Sequence, residues 1–115
     1  MENSHLSYYF QILSDPNRLK IISIIGNKEL SVSEIVSAMK LSQPLVSHHL
    51  KALKESEILE TKRTGPFIYY RLKNTKLLDI LGLFSEVLPK SSSYVEMIPM
   101  FMCPPWFKKF FGEID

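Results

Sequence analysis

Two helix starts fall within a dozen residues of one another, and few folds accommodate such a pair. Ser31-Val32-Ser33-Glu34 has the Ser-x-x-Glu spacing of a capping box, in which side chains satisfy backbone N–H groups that the first turn leaves free. It precedes Ile35, Val36 and Met39, so a helix of about two turns is expected. Ser42 is a second N-cap, with Pro44 in the first turn, where a missing N–H costs nothing. Lys40-Leu41 leaves only a tight connection between the two. Beyond Ser42, Val46, Leu50 and Leu53 recur at i, i+4 and i+7 and draw one apolar stripe. The opposite face carries Pro44, His48, Lys51 and Glu55, with Gln43 and Ser47 near its N-terminal end. A short capped helix, a turn and a second capped helix make a helix-turn-helix. The amides, hydroxyls, imidazole and ammonium of the second helix are groups that can read base edges in a major groove.

The flanking segments extend this pattern. Leu6, Tyr9, Phe10 and Leu13 predict a first amphipathic helix over residues 3–13. Asp15-Pro16 restarts the chain as an N-cap followed by a good first helical residue. The apolar run Leu19–Ile25 predicts a helix buried on most sides, ended by Gly26-Asn27. After the second capped helix, Ile58–Arg63 and Phe67–Leu72 are strand candidates separated by Thr64-Gly65-Pro66, a hairpin. Ile68, Tyr70 and Leu72 are expected on one side, and Phe67, Tyr69 and Arg71 on the other. A helix-turn-helix followed by a hairpin is a winged helix. Lys62, Arg63 and Arg71 are placed on its wing, within reach of phosphates or a minor groove.

Asn74 or Thr75 then caps a helix whose apolar residues cover a wide arc. So small a domain has little core left to cover it, which points to a helix shared across a dimer interface together with the first helix. Leu6, Tyr9, Phe10, Leu77, Ile80, Leu81, Phe84 and Leu88 are the expected interface. Pro89 stops that helix. Residues 90–115 hold a serine run, further prolines and a Met-rich patch, then a short helix with a Trp106, Phe107, Phe110, Phe111, Ile114 stripe. The expected organisation is a DNA-binding and dimerisation domain over residues 1–89 and a Pro/Met/aromatic extension over 90–115.

Composition narrows the class. With 115 residues, 45% hydrophobic and 23% charged, a folded globule is expected rather than disorder. The net charge of +2 is unevenly spread: residues 43–73 carry +3 and the remainder −1, so the positive excess lies in the proposed reading helix and wing. One cysteine, Cys103, excludes an intrachain disulfide and points to a reducing compartment. No signal peptide or membrane-length apolar run is read, so a cytoplasmic location without membrane association is expected. There is no P-loop, GxGxxG or HExxH, nor a nucleophile with an evident base, and an enzyme is not expected.

The runs SDPNRLKIISII, ELSVSEI, LSQPLVSHHLKAL and IYYRL, in this order over roughly residues 6–88, resemble the ArsR/SmtB family of dimeric winged-helix repressors. The resemblance implies a mainly α fold with a small β-hairpin, a homodimeric winged helix-turn-helix. It implies binding to an imperfect inverted repeat in double-stranded DNA, with repression relieved by an inducing signal. By the same resemblance Gln43, Ser47 and His48 fall where the family reads bases. Ser42, Pro44, Lys51, Lys62, Arg63 and Arg71 complete the expected DNA-binding set. The chain departs from the metal-sensing members. Where they carry a Cys-x-Cys box it has Ser31-Val32-Ser33, and hydroxyls are poor ligands for soft metals. The helix over residues 76–88 offers Asp79 and Glu86 but no histidine, and a persulfide sensor's second cysteine is missing. No metal site or cofactor is expected.

Several residues have competing readings. His49 lies nearer the apolar edge of its helix and is read as a packed, hydrogen-bonded imidazole rather than a base contact. Leu45 either touches a thymine methyl or packs on the preceding helix. Lys62 and Arg63 are either phosphate contacts, the favoured reading, or solvated charges that guard a sheet edge. Asp15 is read as a cap alone. Cys103 is read first as a buried, inert thiol, with a redox or ligand role as the alternative. The competing function is a winged-helix interaction module that presents its C-terminal aromatic helix to a protein or membrane.

Overall fold

The computed structural model describes residues 3–89. In chain order the elements are α1 (Asn3–Leu13), α2 (Pro16–Ile25), β1 (Leu30–Ser31), α3 (Val32–Met39), α4 (Gln43–Glu55), β2 (Leu59–Thr64), β3 (Phe67–Leu72) and α5 (Lys76–Val87). The chain divides into two compact units, Met1–Thr75 and Lys76–Asp115. The first holds α1 through β3 and the second holds α5. The expected domain boundary after Pro89 falls where the described residues end. The expected aromatic helix and Cys103 lie outside them.

Local chemistry accounts for the helix ends. Asp15 is extended, and its carboxylate accepts from the Asn17 N–H at 2.8 Å. Gly26 stops α2 at φ 52°, a conformation that costs a residue with a Cβ, and its N–H donates to the Ile22 carbonyl at 2.9 Å. At the capping box the Glu34 N–H donates to the Ser31 hydroxyl at 3.3 Å, and that hydroxyl donates to the Glu34 carboxylate at 3.1 Å. Lys40, left-handed at φ 58°, ends α3 and gives the turn its tightness without a glycine. Ser42 caps α4 by accepting from the Leu45 N–H at 3.4 Å.

The sheet differs from the expected hairpin in two ways. It has three antiparallel strands in the order β1-β3-β2, because Leu30 pairs with Tyr70 and Ser31 with Tyr69. A two-residue strand is too short to display alternation, and for that reason it escapes a pattern reading. The turn is also tighter than expected. Thr64 pairs with Phe67, leaving only Gly65-Pro66 as the loop. Gly65 has φ +62° while the Pro66 ring holds its own φ negative, the sign pattern of a type II′ hairpin turn.

The core lies between α2, α3, α4 and the base of the sheet. Ile21, Ile22, Ile25, Ile35, Met39, Val46, Leu50, Leu53, Leu59 and Leu72 are all buried. Burying each such side chain stabilises the fold by about 1.5–3 kcal/mol before entropy is charged against it. Neither α1 nor α5 has a buried residue.

Candidate nucleic-acid interface

The core contact of α4 decides which of its side chains remain outside. Val46, His49, Leu50 and Leu53 are buried, whereas Ser42, Gln43, Pro44, Leu45, Ser47, His48 and Lys51 are exposed. At about 100° per residue, positions 43, 44, 47, 48 and 51 share an arc of roughly 140°. The structure therefore brings Gln43, Pro44, Ser47, His48 and Lys51 onto one solvent face of a helix about 20 Å long. Leu45 is 39% exposed, beside this arc.

His49 takes the opposite role. It is 4% exposed, and its Nδ1 accepts from Arg18 Nε at 3.3 Å. The neutral ring therefore carries its proton on Nε2, which is buried and has no partner among the described residues. Arg18 also donates to the Ile12 carbonyl at 3.4 Å, so one guanidinium links the last turn of α1 to α4. Burial pushes the His49 pKa below its ordinary 6.5; Asp15 opposes this, and Arg18 and His48 reinforce it. The unfolded chain therefore binds a proton at a pH where the folded ring still resists one. Stability is expected to fall as pH drops below about 6.5 and to keep falling until the folded ring titrates. Urea midpoints of the wild type and His49→Gln across pH 5–8 should show this: the acid-side loss is smaller in the variant. Parallel curves would remove the histidine as the cause.

The wing separates three cations that the sequence reading grouped together. Glu60 pairs with Arg71 and Lys62 with Tyr69, so Lys62 and Arg71 share one face of the ribbon; Arg63, opposite Ile68, is on the other. Arg71 Nη1 lies 3.0 Å from the Glu29 carboxylate and its Nε 3.5 Å from Glu60. Lys62 Nζ lies 3.8 Å from the same Glu29 oxygen. Arg63 is exposed and makes no ion pair among the described residues. Glu29 is a residue that sequence reasoning missed. Continuing the β1–β3 register by one residue sets it opposite Arg71, a signal visible only once β1 is known.

Of the residues expected at a dimer interface, Leu6, Phe10, Ile80, Phe84 and Leu88 are exposed, while Leu77 and Leu81 are half-buried. Tyr9 is half-buried, and its hydroxyl donates to the Ser56 carbonyl at 2.9 Å within the same chain. On α5, Ile80, Leu83, Phe84 and Val87 form an exposed stripe at i, i+3, i+4 and i+7, each at least 46% exposed. Among the described residues no group of three or more His, Cys, Asp or Glu could hold a metal ion. No described helix is long and apolar enough to cross a membrane.

A capped two-helix unit with a polar solvent face, followed directly by a paired hairpin, defines a winged helix-turn-helix. Residues 15–61 match the bacterial regulatory protein, arsR family. The chain is 33% identical over 84 residues to the transcriptional repressor SdpR of Bacillus subtilis, covering 73% of this chain and 93% of that protein. It is 38% identical over 79 residues to the cadmium resistance transcriptional regulatory protein CadC of Listeria innocua, covering 68% of this chain and 66% of that one, just under two thirds. Its fold matches the homodimeric winged helix-turn-helix DNA-binding domain of Mb0332 from Mycobacterium bovis with a TM-score of 0.66 and 25% identity, over 73% of this chain and 78% of that one. The chain belongs to the arsR family of bacterial regulatory proteins, and it is a DNA-binding transcriptional regulator.

Proposed function

We propose that the protein is a homodimeric repressor that binds an inverted-repeat operator through α4 of each copy and is released by an inducing signal. The observation that carries this reading is the division of α4 into a buried apolar face and an exposed arc bearing Gln43, Ser47 and His48. In this reading those three side chains meet base edges. Ser42, Pro44 and Lys51 lie against the backbone at the groove, and Arg63 reaches a phosphate from the wing. In this reading the dimer rests on Ile80, Leu83 and Val87 of α5, exposed apolar side chains at helical spacing. The homodimeric state named for the Mb0332 domain supports it.

The protein acts in the cytoplasm and has no catalytic role. The inducer is not a thiolate-bound soft metal at the start of α3, where the Ser31 and Ser33 hydroxyls stand 3.4 Å apart. The competing reading, an interaction module built on the C-terminal aromatic helix, rests on residues outside the described ones.

Selection of bound duplexes from a random pool tests the proposal. Enriched inverted repeats are expected, with half-sites about one helical turn apart, bound by a species of twice the chain mass in sedimentation. Ile80→Glu with Leu83→Glu should give a monomer that no longer retains the selected duplex. Enrichment of single half-sites bound by a monomer would refute the dimeric reading.

A further inference from the structure

The wing carries a four-membered charge cluster whose members balance. Arg71, on the central strand, is flanked by Glu29 from the β1 side and Glu60 on β2, and Lys62 reaches the Glu29 oxygen that Arg71 also contacts. Two carboxylates and two cations sum to zero. DNA attracts a protein through uncompensated cations, because each phosphate neutralised releases condensed counterions. A balanced cluster offers no such excess. Arg63 is on the opposite face of the ribbon, one residue from the turn, exposed and without an ion pair among the described residues.

We propose that Glu29 is a specificity-determining residue of the wing: it holds Lys62 and Arg71 away from DNA and leaves Arg63 as the wing's phosphate-binding cation. The inference rests on the DNA-binding reading above. Its consequence is a limit on affinity for DNA of any sequence. A wing with a second uncompensated cation adds sequence-independent attraction, which raises binding everywhere and lowers the ratio of operator to random binding. Glu29 itself touches no base; it acts on specificity by neutralising its neighbours.

The test is the salt dependence of binding by the full chain, measured on a random-sequence duplex and on a selected operator. The variants are Glu29→Gln, Lys62→Gln, Arg63→Gln and the pair Glu29→Gln with Lys62→Gln. Arg63→Gln should flatten the plot of log affinity against log salt by about one unit per wing. Lys62→Gln should leave it unchanged. Glu29→Gln should steepen it by about one unit per wing, an extra loss of roughly 3.5-fold per wing between 50 and 200 mM salt. It should also tighten random-duplex binding at low salt more than operator binding. The paired variant should return to the wild-type slope.

The proposal is overturned if Lys62→Gln flattens the slope as Arg63→Gln does, because the ion pair then yields to phosphate. It is equally overturned if Glu29→Gln weakens binding at every salt concentration without steepening it, which is the signature of a merely structural brace. If the wild type shows no salt-dependent duplex binding at all, the DNA-binding reading itself fails and the proposal falls with it.

Discussion

Leu50→Ala is expected to destabilise the fold by about 2–5 kcal/mol. Leu50 is 1% exposed and lies on the inner face of α4 with Val46 and Leu53, neither of which is exposed at all. Removing its branched end forfeits the transfer free energy of three carbons and opens a cavity. The neighbours cannot close on that cavity without moving a helix that is also tied to β2 and α3. Domains of this size have roughly 5–15 kcal/mol of net stability, so the loss is a large fraction of the whole. The measurement is the urea midpoint with an unchanged slope. Leu45→Ala, at a position 39% exposed on the same helix, is the control and should shift the midpoint little. A Leu50→Ala protein as stable as the Leu45→Ala protein would mean that α4 does not present this face to the core.

The second large effect concerns recognition rather than stability. Gln43→Ala combined with His48→Ala should leave thermal unfolding close to wild type, since both side chains are exposed and neither has a hydrogen-bond partner among the described residues. Operator binding should weaken by about 1–3 kcal/mol for each base edge that goes unread in a half-site, and both halves of an inverted repeat contribute. Random-sequence duplex should bind almost as before, because no cation has been removed and the counterion term is unchanged. The diagnostic quantity is therefore the ratio of operator to random affinity. If that ratio survived the double substitution, base reading would have to be sought elsewhere on α4, with Ser47 and Leu45 the next positions to change.

These expectations rest on features of unequal visibility in the chain. The helix starts were legible because capping acts over three residues. Asp15, Ser31 and Ser42 each sit where a hydrogen bond to an N–H two or three residues on is the natural local outcome, and all three make one. The solvent face of α4 was legible because burial of Val46, Leu50 and Leu53 turns Gln43, Ser47 and His48 outward, a matter of helical period alone. His49 was assignable to the scaffold on the same wheel. Its hydrogen bond was not, because the Arg18 donor lies 31 residues earlier in the chain.

The wing shows the other limit. Hairpin pairing and the glycine turn follow from local signals, and the sequence places Lys62, Arg63 and Arg71 together on the ribbon. Only the sheet separates them. Strand alternation sends Arg63 to one face and Lys62 with Arg71 to the other, and β1 then carries Glu29 up to the second pair. By itself the sequence determined where α2, α3 and α4 begin, which face of α4 enters the core and that a hairpin follows, since each depends on neighbours within a turn or two. The tertiary structure alone decided that a third strand joins the sheet and that two of the three wing cations form ion pairs with Glu29. Both depend on residues 29–31 meeting residues 69–71. The free energy of that meeting is set by the packing of the helices between them, and no local pattern encodes it.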